Sequence, residues 1–256
     1  MTMNKNSNIY QIVYSSILVV LVGAVLAVIY MTLKPMQDEN IANDKRKQIL
    51  SALHVTCDND ADVKEKYEKY IVADILADET DEAGHPKAQE RGAAFDVDMA
   101  ANMKLEADKR KLPMFEAKMD DGTTKYVIPV YGAGLWGPIW GYVALNDDGN
   151  TVYGTNFSHQ GETPGLGARI TEQEFQDKFN GKQLIKEGAF KSVEVVKKGQ
   201  KPSNGGYYVD AITGATITSR GVSDMLAKCL EPYKKFLGGI SDEESTESTN
   251  KDVKEE

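Results

Sequence analysis

Cysteine is scarce. Only Cys57 and Cys229 occur in 256 residues, far apart and outside any Cys-x-x-Cys or Cys/His spacing, which excludes a sequence-encoded zinc or iron–sulfur centre. Pairing of the two stays open, although Cys229 falls on the apolar face of a predicted helix, where a buried free thiol is expected. The three histidines, His54, His85 and His159, do not cluster, so a histidine metal site has no local support. An excess of positive charge is also missing. The formal net charge is −9 and the basic residues are interspersed with acidic ones, which excludes nucleic-acid binding.

What is present begins with a long apolar run. Residues 9–33 carry no charge, and 12–30 are dominated by Val, Leu, Ile and Ala, matching the roughly 20 apolar residues of a membrane-spanning helix. A cleaved signal peptide would have a shorter apolar region and a small-x-small cleavage site. This run ends instead at Tyr30-Met31-Thr32-Leu33-Lys34-Pro35, so a permanent anchor is expected. Lys5 on one side and Lys34 with Lys45-Arg46-Lys47 on the other leave its orientation unsettled by charge.

The chain therefore divides into a short N-terminal segment (1–10), a transmembrane helix (11–33), a stalk helix with a helical and polar subdomain (34–120), a β-rich domain (121–238) and an acidic tail (239–256). The tail has almost nothing to bury and is expected to be disordered. Residues 36–53 predict a helix continuing out of the membrane. The Asp-, Glu-, Lys- and Ala-rich stretch 58–120 predicts helices around a polar loop near 78–87, their charges most simply solvated faces. After Asp120-Asp121-Gly122 the pattern turns to strands. Residues 140–145 and 151–157 flank Asn146-Asp147-Asp148-Gly149-Asn150, a hairpin by its turn chemistry. Thr171-Glu172-Gln173-Glu174 reads as a capping box with Thr171 as N-cap, followed by Phe175 and Phe179 on one helix face. Strands are expected at 193–197 and 206–210. Val222, Met225, Leu226, Cys229 and Leu230 form the stripe of a core-facing helix that Pro232 ends or kinks.

Two stretches could carry chemistry. In His159-Gln160-Gly161-Glu162-Thr163-Pro164-Gly165-Leu166-Gly167, proline and glycine let the backbone approach a flat ligand. Glu162 and Thr163 offer polar contacts and Leu166 an apolar face. Alone, such a segment is an ordinary surface loop. In Asp210-Ala211-Ile212-Thr213-Gly214-Ala215-Thr216, small residues leave Thr216 unshielded between a strand and a helix expected to open near Ser219. Free amides and the helix dipole at that junction suit a phosphate. A simple N-cap by Thr218 or Ser219 is the plainer alternative, but it does not need the run of small and hydroxylic residues upstream.

The second stretch resembles the D-x-x-[S/T]-G-A-T flavinylation motif of the FMN-binding domain family, with Ala211 where Gly is common and Thr213 for the more usual Ser. The first resembles that family's H-x-x-E-T-P-G-L-G loop. With one anchor and Gly134-Leu135-Trp136-Gly137-Pro138-Ile139-Trp140-Gly141, the chain is similar to the C subunits of Na+-translocating NADH:quinone oxidoreductases. The G subunits of Rnf-type ferredoxin:NAD+ oxidoreductase complexes share both motifs and are the alternative. A membrane-tethered scaffold whose threonine-rich turn is only a cap is the alternative from another class.

The resemblance implies an α+β fold, with one N-terminal transmembrane helix followed by a twisted, mainly antiparallel sheet flanked by helices. It implies FMN joined covalently to Thr216 through its phosphate by a flavin transferase that reads Asp210, within a motif that includes Thr213, Gly214 and Ala215. Thr218, Ser219 and the helix amides would hold the phosphate. Glu162, Thr163, Gly165, Leu166 and Gly167 would line the isoalloxazine, and Leu135 and Trp136 would pack on it, although core packing explains Trp136 and Trp140 equally well. His159 is expected to be a loop hydrogen-bonder. The resemblance further implies an electron carrier with no catalytic residue or metal of its own. Its partners would be other members of a membrane complex, including the flavin-bearing B subunit, in the cell inner membrane with the FMN domain on the periplasmic side.

Overall fold

The computed structural model describes residues 8–80, 86–89 and 92–234, so His85, the acidic tail and most of the short N-terminal segment lie outside it. The chain divides into two compact units, Met1–Lys45 and Arg46–Glu256. The first is helical. Helix α1 runs Asn8–Ala52, continuous through Pro35, and is long and apolar enough to cross a membrane. None of its apolar window is buried within the protein, which fits an anchor and not a core helix. The helix expected over 36–53 is there as its continuation.

The second unit is built on a six-stranded antiparallel sheet in the order β2-β1-β3-β4-β5-β6. Its strands are β1 (Ile71–Thr80), β2 (Pro86–Gln89), β3 (Pro113–Lys118), β4 (Thr124–Ala133), β5 (Pro138–Asn146) and β6 (Val152–His159). The β5–β6 hairpin turns over 146–151 as its residue types require. Asp148 takes the amides of Asn150 and Thr151, both at 2.8 Å.

The sheet is buried on both faces. Ile128, Val130, Ile139, Val143 and Leu145 face one core, and Phe115, Ala117, Val127, Tyr142 and Ala144 face the other. The second core is closed by Ile49, Ala52 and Leu53 from the end of α1. The first is closed by helix α5 (Thr216–Leu230), whose Val222, Met225, Leu226, Cys229 and Leu230 are all buried. Each such side chain contributes about 1.5–3 kcal/mol on burial. Both cysteines are free thiols, Cys57 half-buried and Cys229 buried. Pro232 lies in the 3-10 turn Glu231–Tyr233 that ends α5.

Smaller elements complete the unit: helix α2 (Asp60–Tyr70), helix α3 (Met99–Asn102), helix α4 (Gln173–Gln176), the hairpin β7 (Ile185–Lys186) with β8 (Ala189–Phe190), and the parallel pair β9 (Val193–Val196) with β10 (Tyr207–Asp210). Asn59 caps α2 by accepting from the amides of Ala61 and Asp62, both at 3.0 Å.

Two expectations need correction. The β-rich core begins at Ile71, not after residue 120, because β1 and β3 occupy part of the stretch expected to be helical. The stretch Ile71-Val72-Ala73-Asp74-Ile75-Leu76-Ala77 shows no clean alternation, since the register shifts between Ile71 and Ala73, and it becomes strand through pairing with β3. The capping box does not form either. Thr171 closes the 3-10 turn Gly167–Thr171 and donates its hydroxyl to the Ala168 carbonyl at 3.0 Å, leaving Glu172 as the N-cap of α4. Phe175 and Phe179 still pack together on one side, edge to face with ring centroids 5.4 Å apart.

Candidate functional site

Glu162 organises the site. It sits just past the end of β6, buried, and its carboxylate accepts hydrogen bonds from three directions. The Trp136 amide reaches Oε1 at 2.9 Å from the β4–β5 connection, and the Thr218 hydroxyl reaches Oε2 at 2.6 Å from the first turn of α5. The amide of Leu135 adds a third bond. The Glu162 amide in turn donates to His159 Nδ1 at 3.1 Å, which gives that histidine the loop-bonding role expected of it.

Burial alone would raise the Glu162 carboxyl above its ordinary range. The bonds from Thr218, Trp136 and Leu135, with His159 nearby, outweigh that and hold it below. The group is therefore an ionised anchor at neutral pH and not a proton donor. Two glycines make room for it: a Cβ at Gly134 or Gly167 would collide with its carboxylate oxygens.

The loop after Glu162 turns on itself. The Thr163 carbonyl accepts from the amides of Leu166 and Ala168, both at 3.1 Å, and Gly165 takes a left-handed φ of 74°. Leu166 then lies over Gly214, with Cδ2 2.9 Å from where a Cβ on Gly214 would stand. Gly214 has φ 79°. The two stretches singled out in the sequence, some fifty residues apart, thus meet twice: Leu166 on Gly214 and Glu162 on Thr218.

Helix α5 starts at Thr216 itself, three residues earlier than expected, with Ala215 as an N-cap that supplies no side-chain bond. The hydroxyl of Thr218 is committed to Glu162, and Ser219 Oγ accepts from the Ile212 amide at 3.2 Å, fixing the preceding turn. The first-turn amides of Thr216, Ile217 and Thr218 have no carbonyl within the helix to bond to. Asp210, at the end of β10, and Thr213, Gly214 and Thr216 are exposed, while Ala215 is buried.

The segments tied together by Glu162 and Gly214 carry apolar side chains that the core does not use: Trp136 is 68 % exposed, Ile217 58 %, Leu135 45 % and Leu166 42 %. Trp136 is therefore not a core residue. Ile217 was missed by sequence reasoning, and its signal was an apolar residue amid hydroxyls. Among the described residues no group of three or more His, Cys, Asp or Glu is placed to hold a metal ion. An FMN group fits this surface: amides and a helix dipole for its phosphate, an exposed hydroxyl beside them, and uncovered apolar faces for a flat ring.

Comparison with known proteins agrees. Residues 134–231 match the model of the FMN-binding domain family. The C subunit of a Na(+)-translocating NADH-quinone reductase from Haemophilus ducreyi is 33% identical over 231 residues, covering 86% of this chain and 89% of that protein. The chain belongs to the family of Na+-translocating NADH-quinone reductase C subunits. The corresponding protein from Vibrio parahaemolyticus is 31% identical over 205 residues, covering 74% of this chain and 78% of its own. The crystal structure of the corresponding protein from Parabacteroides distasonis superposes with a TM-score of 0.70 at 42% identity, covering 80% of this chain and 96% of that one. Membership of this family decides between the two complexes left open by the motifs, and it makes the chain one member of a redox complex. The mixed fold with its mainly antiparallel sheet is the one expected.

Proposed function

We propose that the chain is the membrane-anchored electron carrier of a Na+-translocating NADH:quinone oxidoreductase, holding FMN as a phosphoester on Thr216. The observation that carries this reading is exposed Thr216 on the first residue of α5, with exposed Ile217 beside it in the chain and exposed Leu166 over Gly214 two positions before it. Bound FMN supplies reversible one- and two-electron transfer. The protein's part is to hold and cover it. The first-turn amides of α5 stabilise the phosphate charge, while Leu135, Trp136, Leu166 and Ile217 exclude water from the ring. Glu162 fixes the Trp136 loop and the start of α5 in one geometry, so the ring surface and the attachment point keep their spacing.

Covalent attachment suits a carrier, since a flavin that leaves its site breaks the electron path. In this reading Asp210, Thr213, Gly214 and Ala215 present Thr216 to a flavin transferase, with exposed Asp210 as the group recognised. Electrons pass onward to the flavin of the B subunit and towards quinone. Helix α1 anchors the chain in the cell inner membrane with the FMN domain on the periplasmic side. The test is co-expression with a flavin transferase, followed by a denaturing gel viewed under ultraviolet light. A fluorescent band that disappears in Thr216→Ala is expected. A dark wild-type band would leave the tethered-scaffold reading in its place, and a band that survives Thr216→Ala would move the attachment to another residue.

A further inference from the structure

Positive charge gathers at one place in an otherwise acidic chain. The connection from β9 to β10, residues 197–206, carries Lys197, Lys198 and Lys201 and no acidic residue, and all three lysines are exposed. Two further lysines belong to the segments it rests on. Lys186 of β7 donates to the Gly205 carbonyl at 3.0 Å, and the Lys191 carbonyl accepts from the Asn204 side chain. None of these five lysines forms an ion pair, whereas Lys178 and Lys234, before and after them in the chain, pair with Glu174 at 3.7 Å and Glu231 at 3.6 Å.

The acids nearby do not cancel this charge. Across 182–210 there are six lysines, Lys182 being the sixth, against Glu187, Glu194 and Asp210, which leaves a net +3 in a chain of net −9. Glu194 is also taken up locally, because its carboxylate accepts from the amide of Ser203 at 2.7 Å and from the Ser203 hydroxyl at 3.1 Å. On the facing wall of α5, Arg220 and Asp224 offset each other and change nothing.

The same chain carries the opposite charge in Asp242-Glu243-Glu244-Ser245-Thr246-Glu247, four carboxylates with no cation among them. This stretch lies outside the described residues, which end at Lys234. Its starting point is fixed, since the Tyr233 hydroxyl donates to the Pro113 carbonyl at 2.7 Å just past the end of α5. Eight residues lead from Lys234 to Asp242 and span up to about 26 Å, and Glu247 lies up to about 43 Å out. Helix α5 shares a groove with β9, from Thr216 to Ala227 on one wall and from Ser192 to Lys197 on the other. The 15 residues of α5 cover about 22 Å, so the basic surface lies within reach.

We propose that residues 242–247 dock on the basic surface made by β7, β9 and the 197–206 connection, carboxylate to lysine ammonium. Each exposed pair is weak by itself. Tethering makes the contact unimolecular, at an effective concentration of about 1 mM, which favours this stretch over a free acidic partner at micromolar concentration. Such docking buries no core, and it suits a stretch with almost nothing apolar. The docked stretch lies along the groove that Thr216 also lines, covering it at low ionic strength and releasing it as salt shortens the reach of the charges.

The test is zero-length carbodiimide crosslinking of the full chain in a non-ionic detergent, read by mass spectrometry on an equal mixture of isotopically heavy and light protein. Crosslinks from Asp242, Glu243, Glu244 or Glu247 to Lys186, Lys191, Lys197, Lys198 or Lys201 are expected within one chain, and they should fall about fivefold or more between roughly 50 mM and 500 mM salt. Exposed Lys111, two residues from the Pro113 that holds Tyr233, is the control nearest the root of the stretch. A stretch that merely roams would mark Lys111 at least as often as the basic surface, and that result overturns the docking. A second measurement uses Asp242→Asn, Glu243→Gln, Glu244→Gln and Glu247→Gln together, which alter no residue of either core. Amides of 197–206 should exchange hydrogen for deuterium about threefold or more faster in this variant at low salt; unchanged exchange overturns the docking. Crosslinks joining heavy to light chains would assign the surface to a second copy. Protection of 197–206 that persists in the variant and appears only in nanodiscs containing phosphatidylserine would assign it to a lipid surface, and either result overturns the proposal.

Discussion

Thr218 donates its hydroxyl to Glu162 at 2.6 Å, although 56 positions separate them in the chain. Both side chains are buried, and through this bond the loop after β6 and the first turn of α5 share one anchor. Thr218→Val keeps the shape and removes the donor. The carboxylate is then left short of a charge-assisted bond, which should cost about 1.5–3 kcal/mol. Urea unfolding of the full chain in detergent reads the loss, and Thr218→Ser should recover most of it. A Thr218→Val protein as stable as the wild type would show that the bond is dispensable.

The pH dependence follows from the same group. The Glu162 carboxyl is held below its ordinary value by its hydrogen bonds. A carboxyl depressed in the folded state contributes stability that is fully present above its unfolded pKa, about 4.3, and is lost as pH falls through the folded value. The stability gap between wild type and Glu162→Gln should therefore stay constant from about pH 5.5 to 8 and shrink below about pH 4. A gap that widened as the pH dropped would mean that the carboxyl is raised, not lowered.

Gly167 and Gly165 lie two residues apart in one loop and should respond differently to alanine. A Cβ at Gly167 collides with the Glu162 carboxylate and stands 2.7 Å from the Thr218 hydroxyl. Gly167→Ala should therefore break the anchor, cost about 1–3 kcal/mol and sharply reduce flavin attachment to Thr216. Gly165 has nothing within 4 Å of its would-be Cβ, and only its φ of 74° resists substitution. Gly165→Ala should cost about 1 kcal/mol and leave attachment nearly intact. Unfolding curves and in-gel flavin fluorescence on both variants separate the outcomes, and equal loss of fluorescence in the two would refute the difference.

How far the sequence could be read depended on whether the signal was local. The stripe of α5, the β5–β6 hairpin and the long apolar helix were legible because periodicity and turn chemistry act within a few residues. The strands β1 and β3 were not, since they pair with each other across about forty residues of chain rather than through a local signal. At the site, the residue types of the two motifs were legible, and resemblance joined them. The anchoring role of Glu162 was not, because it depends on Gly134, Gly167 and Thr218 converging from three separate segments.

Trp136 distinguishes a ring-covering surface from a core. Its side chain is 68 % exposed, so Trp136→Ala should change stability by no more than about 0.5 kcal/mol. Its amide, which bonds Glu162, is untouched by the substitution, so the loop should keep its place. The flavin on Thr216 should nonetheless lose cover, and iodide should quench its fluorescence more strongly in the variant than in the wild type. Ile217→Ala, next to the attachment point in the chain, should act in the same direction. If both variants fold, carry flavin and show wild-type iodide quenching, the ring lies elsewhere, and the exposed side chains of Trp136 and Ile217 must serve a partner protein instead.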